Sequence, residues 1–260
     1  MQAHSHPPDR SVLGRSMRIL RSFGPEDHGV GLSELTRRTG LPKATVHRLA
    51  RELVAARLLA ATDRGYRLGR GLFELGMVAA PERSLLEVAV PFMQDLFART
   101  QETVHLGVRE GSEVVYIAKI GGHRQAPTPT RVGGRMPLYC TAIGKALLAH
   151  TSQSGVDEVL SAGLVRRTPR TVVGPGLLRR QLERASEEGV AFEYEESMPG
   201  ITCVAAAVLD AGDRPIAAIS VAGPVTRFRP EKHLASVRAA ASGTASILAR
   251  RGVMAPLEDE

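Results

Sequence analysis

The chain has 260 residues, 43% of them hydrophobic, with 34 Lys and Arg against 27 Asp and Glu for a formal net charge of +7. That length and apolar content suit two packed domains, and the absence of any apolar run of about 18 residues excludes a predicted transmembrane helix. Two cysteines without paired spacing argue against a disulfide scaffold and fit a reducing cytoplasm.

The opening MQAHSHPPDR lacks the apolar core of a signal peptide, so residues 1–10 are expected to form a disordered tail. Residues 12–23 (VLGRSMRILRSF) predict a helix with Val12, Met17, Ile19, Leu20 and Phe23 mostly inward, and PEDHGVG then reads as a loop. Residues 32–69 read as a short helix, a tight turn, a longer basic helix and a small hairpin, the layout of a winged helix-turn-helix over 11–69. Ser33 is the expected cap of the short helix and a candidate DNA contact, Gly40 its left-handed stop, and Pro42 the first position of the next helix. Val46, Leu49 and Leu53 recur at helical spacing and predict a buried face. Lys43, Ala44, Thr45, His47, Arg48 and Arg51 fall on the other faces, where those near the helix start would meet base edges and the flanking arginines phosphates. Asp63-Arg64-Gly65 suits a hairpin turn, and Arg64 and Arg67 on that wing would touch the neighbouring backbone. A basic helix face is commonly just a solvated face. The charge distribution tips the balance: residues 1–80 hold 13 Lys and Arg and 7 Asp and Glu, a net of +6, which leaves +1 for the other 180.

Leu72, Phe73, Leu75, Met77 and Val78 predict an apolar helix from Gly69 to about Ala80, ended by Pro81, so residues 70–83 are expected to be a linker and dimer contact. The second domain, expected over 84–252 before a short tail at 253–260, begins with a helix from Ser84 to Thr100. Strands at 103–109 and 114–120 flank a REGSE turn, and ITCVAAAVLD and RPIAAISVAG flank AGDR in the same way. Helices are expected at about 141–150, 155–162, 175–188 and 230–250. Long antiparallel pairs beside helices predict an α+β sheet domain. Thr141 is the expected cap of TAIGKALLA, whose N-terminal N–H groups would suit an anion. Gly144-Lys145 lacks the leading glycine and following hydroxyl of a phosphate-binding loop, and the eight histidines show no zinc spacing.

The strings LSELTRRTGLPKATVHRL and YRLGRGLFELG, then RVGGRMPLYCTAIGKALLA, ESMPGITCVAAAV and IAAISVAGP, together resemble the IclR-type transcriptional regulators over roughly residues 11 to 250. The resemblance implies a winged helix-turn-helix joined by a helix to an effector-binding α/β sheet domain related to GAF and profilin-like folds. It implies a homodimer or dimer of dimers, more typically a repressor, with double-stranded operator DNA and a small organic effector as partners, no membrane and no cofactor. Carried over by motif, the effector wall comprises Met136, Leu138, Ala142, Ile143, Gly144 and Ile201, with Glu193, Cys203 and Ser220 as polar members. Ala222 stands where the family's Ser-x-Ser pair has its second serine, which disfavours a glyoxylate- or pyruvate-like ligand and favours a larger, more apolar or aromatic one.

Each of these positions also has a plainer reading. Gly133 and Gly144 suit turns and close packing, Cys140 and Cys203 suit small buried hydrophobes, and Glu193 with Glu195 and Glu196 suits a solvated edge. Two other functions stay open: a thiol enzyme in which His105 or His150 activates Cys140 or Cys203, and a redox switch built on the two cysteines.

Overall fold

A computed structural model describes residues 11–78, 80–121 and 130–253; the expected tail at 1–10 and the residues from 254 onward lie outside these. The chain divides into two compact units, Met1–Ala80 and Pro81–Glu260.

In the first unit, α1 (Val12–Arg21) is capped by Ser11, whose hydroxyl accepts from the Gly14 N–H at 2.9 Å. Ile19 and Leu20 are buried, but Val12 is 51% exposed rather than inward, because the first turn of α1 reaches past the small core. Gly31, not Ser33, is the cap of α2 (Leu32–Thr39); the helix starts two residues early, which puts Ser33 exposed in its first turn without a capping bond. Gly40 ends α2 with φ +65°, as expected of a left-handed stop. Pro42 is the cap of α3 (Lys43–Ala55) rather than its first residue, since its ψ of 138° is extended. Val46, Leu49, Ala50 and Leu53 form the buried face of α3.

The wing pairs β1 (Leu59–Thr62) with β2 (Gly65–Leu68) through a two-residue Asp63-Arg64 turn. A third element escaped the sequence reading: Val30, placed in a loop, exchanges two backbone hydrogen bonds with Tyr66 at 2.7 and 2.9 Å. Gly65 makes this possible, because its φ is +121° and a Cβ there would sit 2.3 Å from the Val30 carbonyl oxygen. The apolar segment beyond the wing is shorter than expected. α4 (Arg70–Gly76) stops before Pro81, and position 81 falls in the first turn of α5 (Ala80–Thr100), where proline removes no helical bond.

The second unit is one antiparallel sheet of six strands between two helical layers. Its strands are β3 (Thr103–Glu110), β4 (Glu113–Ile120), β5 (Arg135–Pro137), β6 (Ala191–Tyr194), β7 (Ile201–Leu209) and β8 (Pro215–Pro224), in the order β5-β4-β3-β8-β7-β6. The two expected hairpins are β3–β4 and β7–β8; β5 and β6, of three and four residues, are too short to register as an alternating pattern. The period of two sorts the strand side chains. Val204, Ala206 and Val208, with Ala217, Ile219 and Val221, face α5 and α9 (Leu234–Arg250). Ile201, Cys203 and Ala205, with Ala218 and Ala222, face α6 (Ala142–Leu148), α7 (Gln153–Ser161) and α8 (Pro175–Glu188). The expected last helix starts with a short 3-10 turn, Pro230–His233, before α9.

Candidate functional site

The basic face of the first unit is built on α3. Lys43, Ala44, His47, Arg48 and Arg51 are exposed along it, while Thr45 is half-buried. Arg48 donates to Glu52 one turn on at 2.6 Å, an exposed pair that contributes at most about 1 kcal/mol and leaves the guanidinium available. On the wing, Arg64 and Arg67 are exposed, and Ser33 is exposed on α2. Arg38 has a different part: it bonds Asp27, Glu34 and the Ser22 carbonyl, and so braces α2 against the loop before it.

In the second unit, the face of the sheet toward α6 holds a cavity. Strand register aligns Glu193, Cys203 and Ala222 across β6, β7 and β8, and Ser220 with His105 across β8 and β3. Thr141, Ala142 and Ile143, at the start of α6, line it as well. The Thr141 hydroxyl accepts from the Gly144 N–H at 3.1 Å and donates to the Pro137 carbonyl at 3.0 Å, which fixes the entry of α6. Gly144 packs hard against the preceding turn, where a Cβ would lie 2.1 Å from the Leu138 carbonyl oxygen. The cavity offers about 30 Å³ to the centres of water-sized molecules, against the ~10–15 Å³ that one water requires. A ligand of more than a few heavy atoms therefore needs the wall to give, and Met198 is its most flexible member.

Of the ten positions carried over by motif, seven meet here: Ala142, Ile143, Glu193, Ile201, Cys203, Ser220 and Ala222. Met136, Leu138 and Gly144 do not line the cavity and belong to the packing around it. His105, Tyr116, Thr130, Ser197 and Met198 line it and were not among the expected site residues. Ser197 and Met198 sit inside the quoted ESMPG motif. Nothing local in the sequence marks Tyr116 or Thr130, which arrive through strand register and chain return.

The electrostatics of this site are those of burial. Glu193, carried over as a polar member of the effector wall, is buried in β6 rather than on the solvated edge its plainer reading offered, and desolvation raises its carboxyl to about 7 although Ser197 donates to Oε1 from both its N–H and its hydroxyl. His105 is buried, shares a hydrogen bond of 2.7 Å with the Thr130 hydroxyl and packs against Tyr116 with ring centroids 5.2 Å apart. Desolvation, with Lys119 nearby, drops its imidazole to about 3, so it is neutral at physiological pH. Behind the cavity Lys145, read only as a lysine in a failed phosphate loop, is 1% exposed and bonds both Glu196 carboxylate oxygens at 2.5 and 2.6 Å. Thr168 and Thr171 donate to backbone carbonyls at 195 and 196, so the segment leading into Ser197 and Met198 is held at several points.

Both cysteines are buried, and burial raises the Cys140 thiol to about 12 and that of Cys203 further. Neither is poised as a thiolate at neutral pH, which disfavours the reading of either as a nucleophile.

The model of the IclR helix-turn-helix domain matches residues 12–63, and that of the C-terminal domain of bacterial IclR transcriptional regulators matches residues 77–250. The chain belongs to the IclR family. This IclR-family regulator is 33% identical over 230 residues to the HTH-type transcriptional repressor AllR of Salmonella typhi, which covers 86% of this chain and 83% of the relative. It is 33% identical over 229 residues to the HTH-type transcriptional regulator KdgR of Escherichia coli K12, covering 87% of each. An IclR homolog from Microbacterium hydrocarbonoxydans, solved in complex with 4-hydroxybenzoate, superposes with a TM-score of 0.87 at 32% identity over 93% of this chain and all of that one. The Thermotoga maritima IclR superposes at 0.77 with 28% identity over 91% of this chain and 98% of that one. The first unit is thus the regulator's DNA-binding domain and the second its effector-binding domain. Among the described residues no helix is long and apolar enough to cross a membrane.

Proposed function

We propose that this regulator is a repressor that binds a palindromic operator as a dimer through α3 and the wing, and that a small organic acid or aromatic metabolite in the α6 cavity changes its operator affinity. The observation that carries this reading is the meeting of seven motif positions around one cavity in the second unit. Lys43, Thr45 and His47, near the start of α3, read bases with Ala44 and Arg48, while Arg51, Arg64 and Arg67 hold phosphates. The 4-hydroxybenzoate bound by the solved relative is an aromatic acid, and it supports that ligand class here. Effector and operator are coupled by linkage: a ligand shifts DNA affinity only by as much as it prefers one state of the protein over the other.

The roles separate by mutation. Arg48→Ala should weaken operator binding about 10- to 100-fold, equivalent to ~1–3 kcal/mol, and leave effector affinity as it was. Ser220→Leu fills the cavity and should remove the effector response while the operator is still bound. Titrations of labelled operator and of ligand decide the matter. Parallel loss of both activities in either variant contradicts the division of labour.

A further inference from the structure

Glu193 is an unusual group to find in a cavity that is read as accepting acids. Its Oε1 takes both Ser197 donors, and Oε2 accepts none of the hydrogen bonds found among the described residues. The groups that face it come from several elements. Lys145 of α6 acts on it as a cation, and that ammonium is committed to both Glu196 oxygens and, at 3.3 Å, to the Phe192 carbonyl; Arg167 acts on the neighbouring Cys140. The Glu196 carboxyl opposes a charge on Glu193. The thiols of Cys140 and Cys203 and the Tyr116 phenol are each pushed toward their neutral forms by burial and by Glu193. His105, in the same cavity, is neutral. Among the described residues no Lys or Arg lines the cavity. A ligand carboxylate beside an ionised Glu193 would place two negative charges in a buried site whose described lining holds no Lys or Arg, which water-poor surroundings penalise heavily.

We propose that Glu193 is a specificity-determining residue that selects effectors by charge: an acid binds its neutral carboxyl, with Oε2–H donating to the ligand carboxylate and one proton taken up from solvent. An uncharged amide of the same shape, whose carbonyl accepts that same bond, carries no added repulsion. This rests on the reading of the cavity as the effector site. With the Glu193 carboxyl raised to about 7, the proton is already in place in mildly acidic solution and must be acquired in alkaline solution.

The test is calorimetric titration of the full-length protein with 4-hydroxybenzoate and 4-hydroxybenzamide, and with pyruvate and pyruvamide, from about pH 6 to about pH 8.5. Acid affinity should be level up to about pH 7 and then fall toward tenfold per pH unit, with proton uptake, read from buffers of different ionisation enthalpy, rising from near none in acid toward one proton at alkaline pH. Amide affinity should be nearly flat across the range. In Glu193→Gln, the fall in acid affinity should vanish. Acid binding that stays level in the wild type at alkaline pH, or a fall that persists in Glu193→Gln, overturns charge selection while leaving the cavity as the effector site. Absence of binding by all four compounds to both proteins overturns the cavity reading itself, and charge selection with it.

Discussion

Gly65 holds a φ of +121° that a side chain adopts only under strain, and any Cβ would strike the Val30 carbonyl that pairs with Tyr66. Gly65→Ala should therefore cost ~1–3 kcal/mol or more in thermal unfolding and weaken operator binding through the wing. The Lys145–Glu196 pair sets up a sharper contrast. Lys145→Met leaves Glu196 buried without its counter-charge, at ~3–5 kcal/mol in urea unfolding, and Lys145→Met with Glu196→Leu should recover a large part of that loss. Glu193 predicts a pH signature independent of any ligand. Its folded-state pKa of about 7 lies above the ordinary 4.5, so its contribution favours the fold fully below pH 4.5 and is lost as pH rises through 7. Stability of Glu193→Gln, followed by denaturant midpoint, should decline less than that of the wild type over that window. An equal decline in both proteins contradicts the assignment. These residues were the least legible in the sequence. Glu193 is assigned to the effector pocket only through the family motif, since it and Glu196 sit in an acidic stretch that looks solvated, and Lys145 follows a glycine that suggested a phosphate loop; their burial is a product of the fold around them.

Elements with a strong period or an explicit stop were legible. α3 shows its buried face through Val46, Leu49 and Leu53, and α8 runs over the expected 175–188 because Pro175 opens it and the left-handed Gly189 closes it. The strand pairs β3–β4 and β7–β8 were legible from the composition between their turns. Short elements were not: β5, β6 and the Val30 bridge exist because neighbouring strands offer edges to pair with, which is tertiary information. α4 carries a prediction of its own. Phe73 and Leu75 are 71% and 64% exposed, and Val78 just beyond the helix is 77% exposed, apolar surface that water disfavours and that the proposed dimer would cover. Phe73→Ser with Leu75→Ser should shift the monomer–dimer equilibrium at least tenfold toward monomer in sedimentation and weaken operator binding in proportion, with little change in the melting of the DNA-binding unit. An unaltered dimer would move the contact elsewhere.

For the molecule as a whole, the two-unit division follows from where the charge and the motifs lie. The net positive charge is concentrated in the residues that carry the helix-turn-helix, while the nearly neutral remainder folds into a sheet with a cavity on one face. The central claim is that this regulator is a sequence-specific dimer on DNA. Selection of bound fragments from a random-sequence pool, followed by affinity for the winning sequence at several salt concentrations, tests it most directly. A two-fold symmetric consensus, bound with an affinity that falls steeply as salt rises, is the predicted result. Failure to enrich any consensus at low or high salt, with and without aromatic acids present, would contradict it.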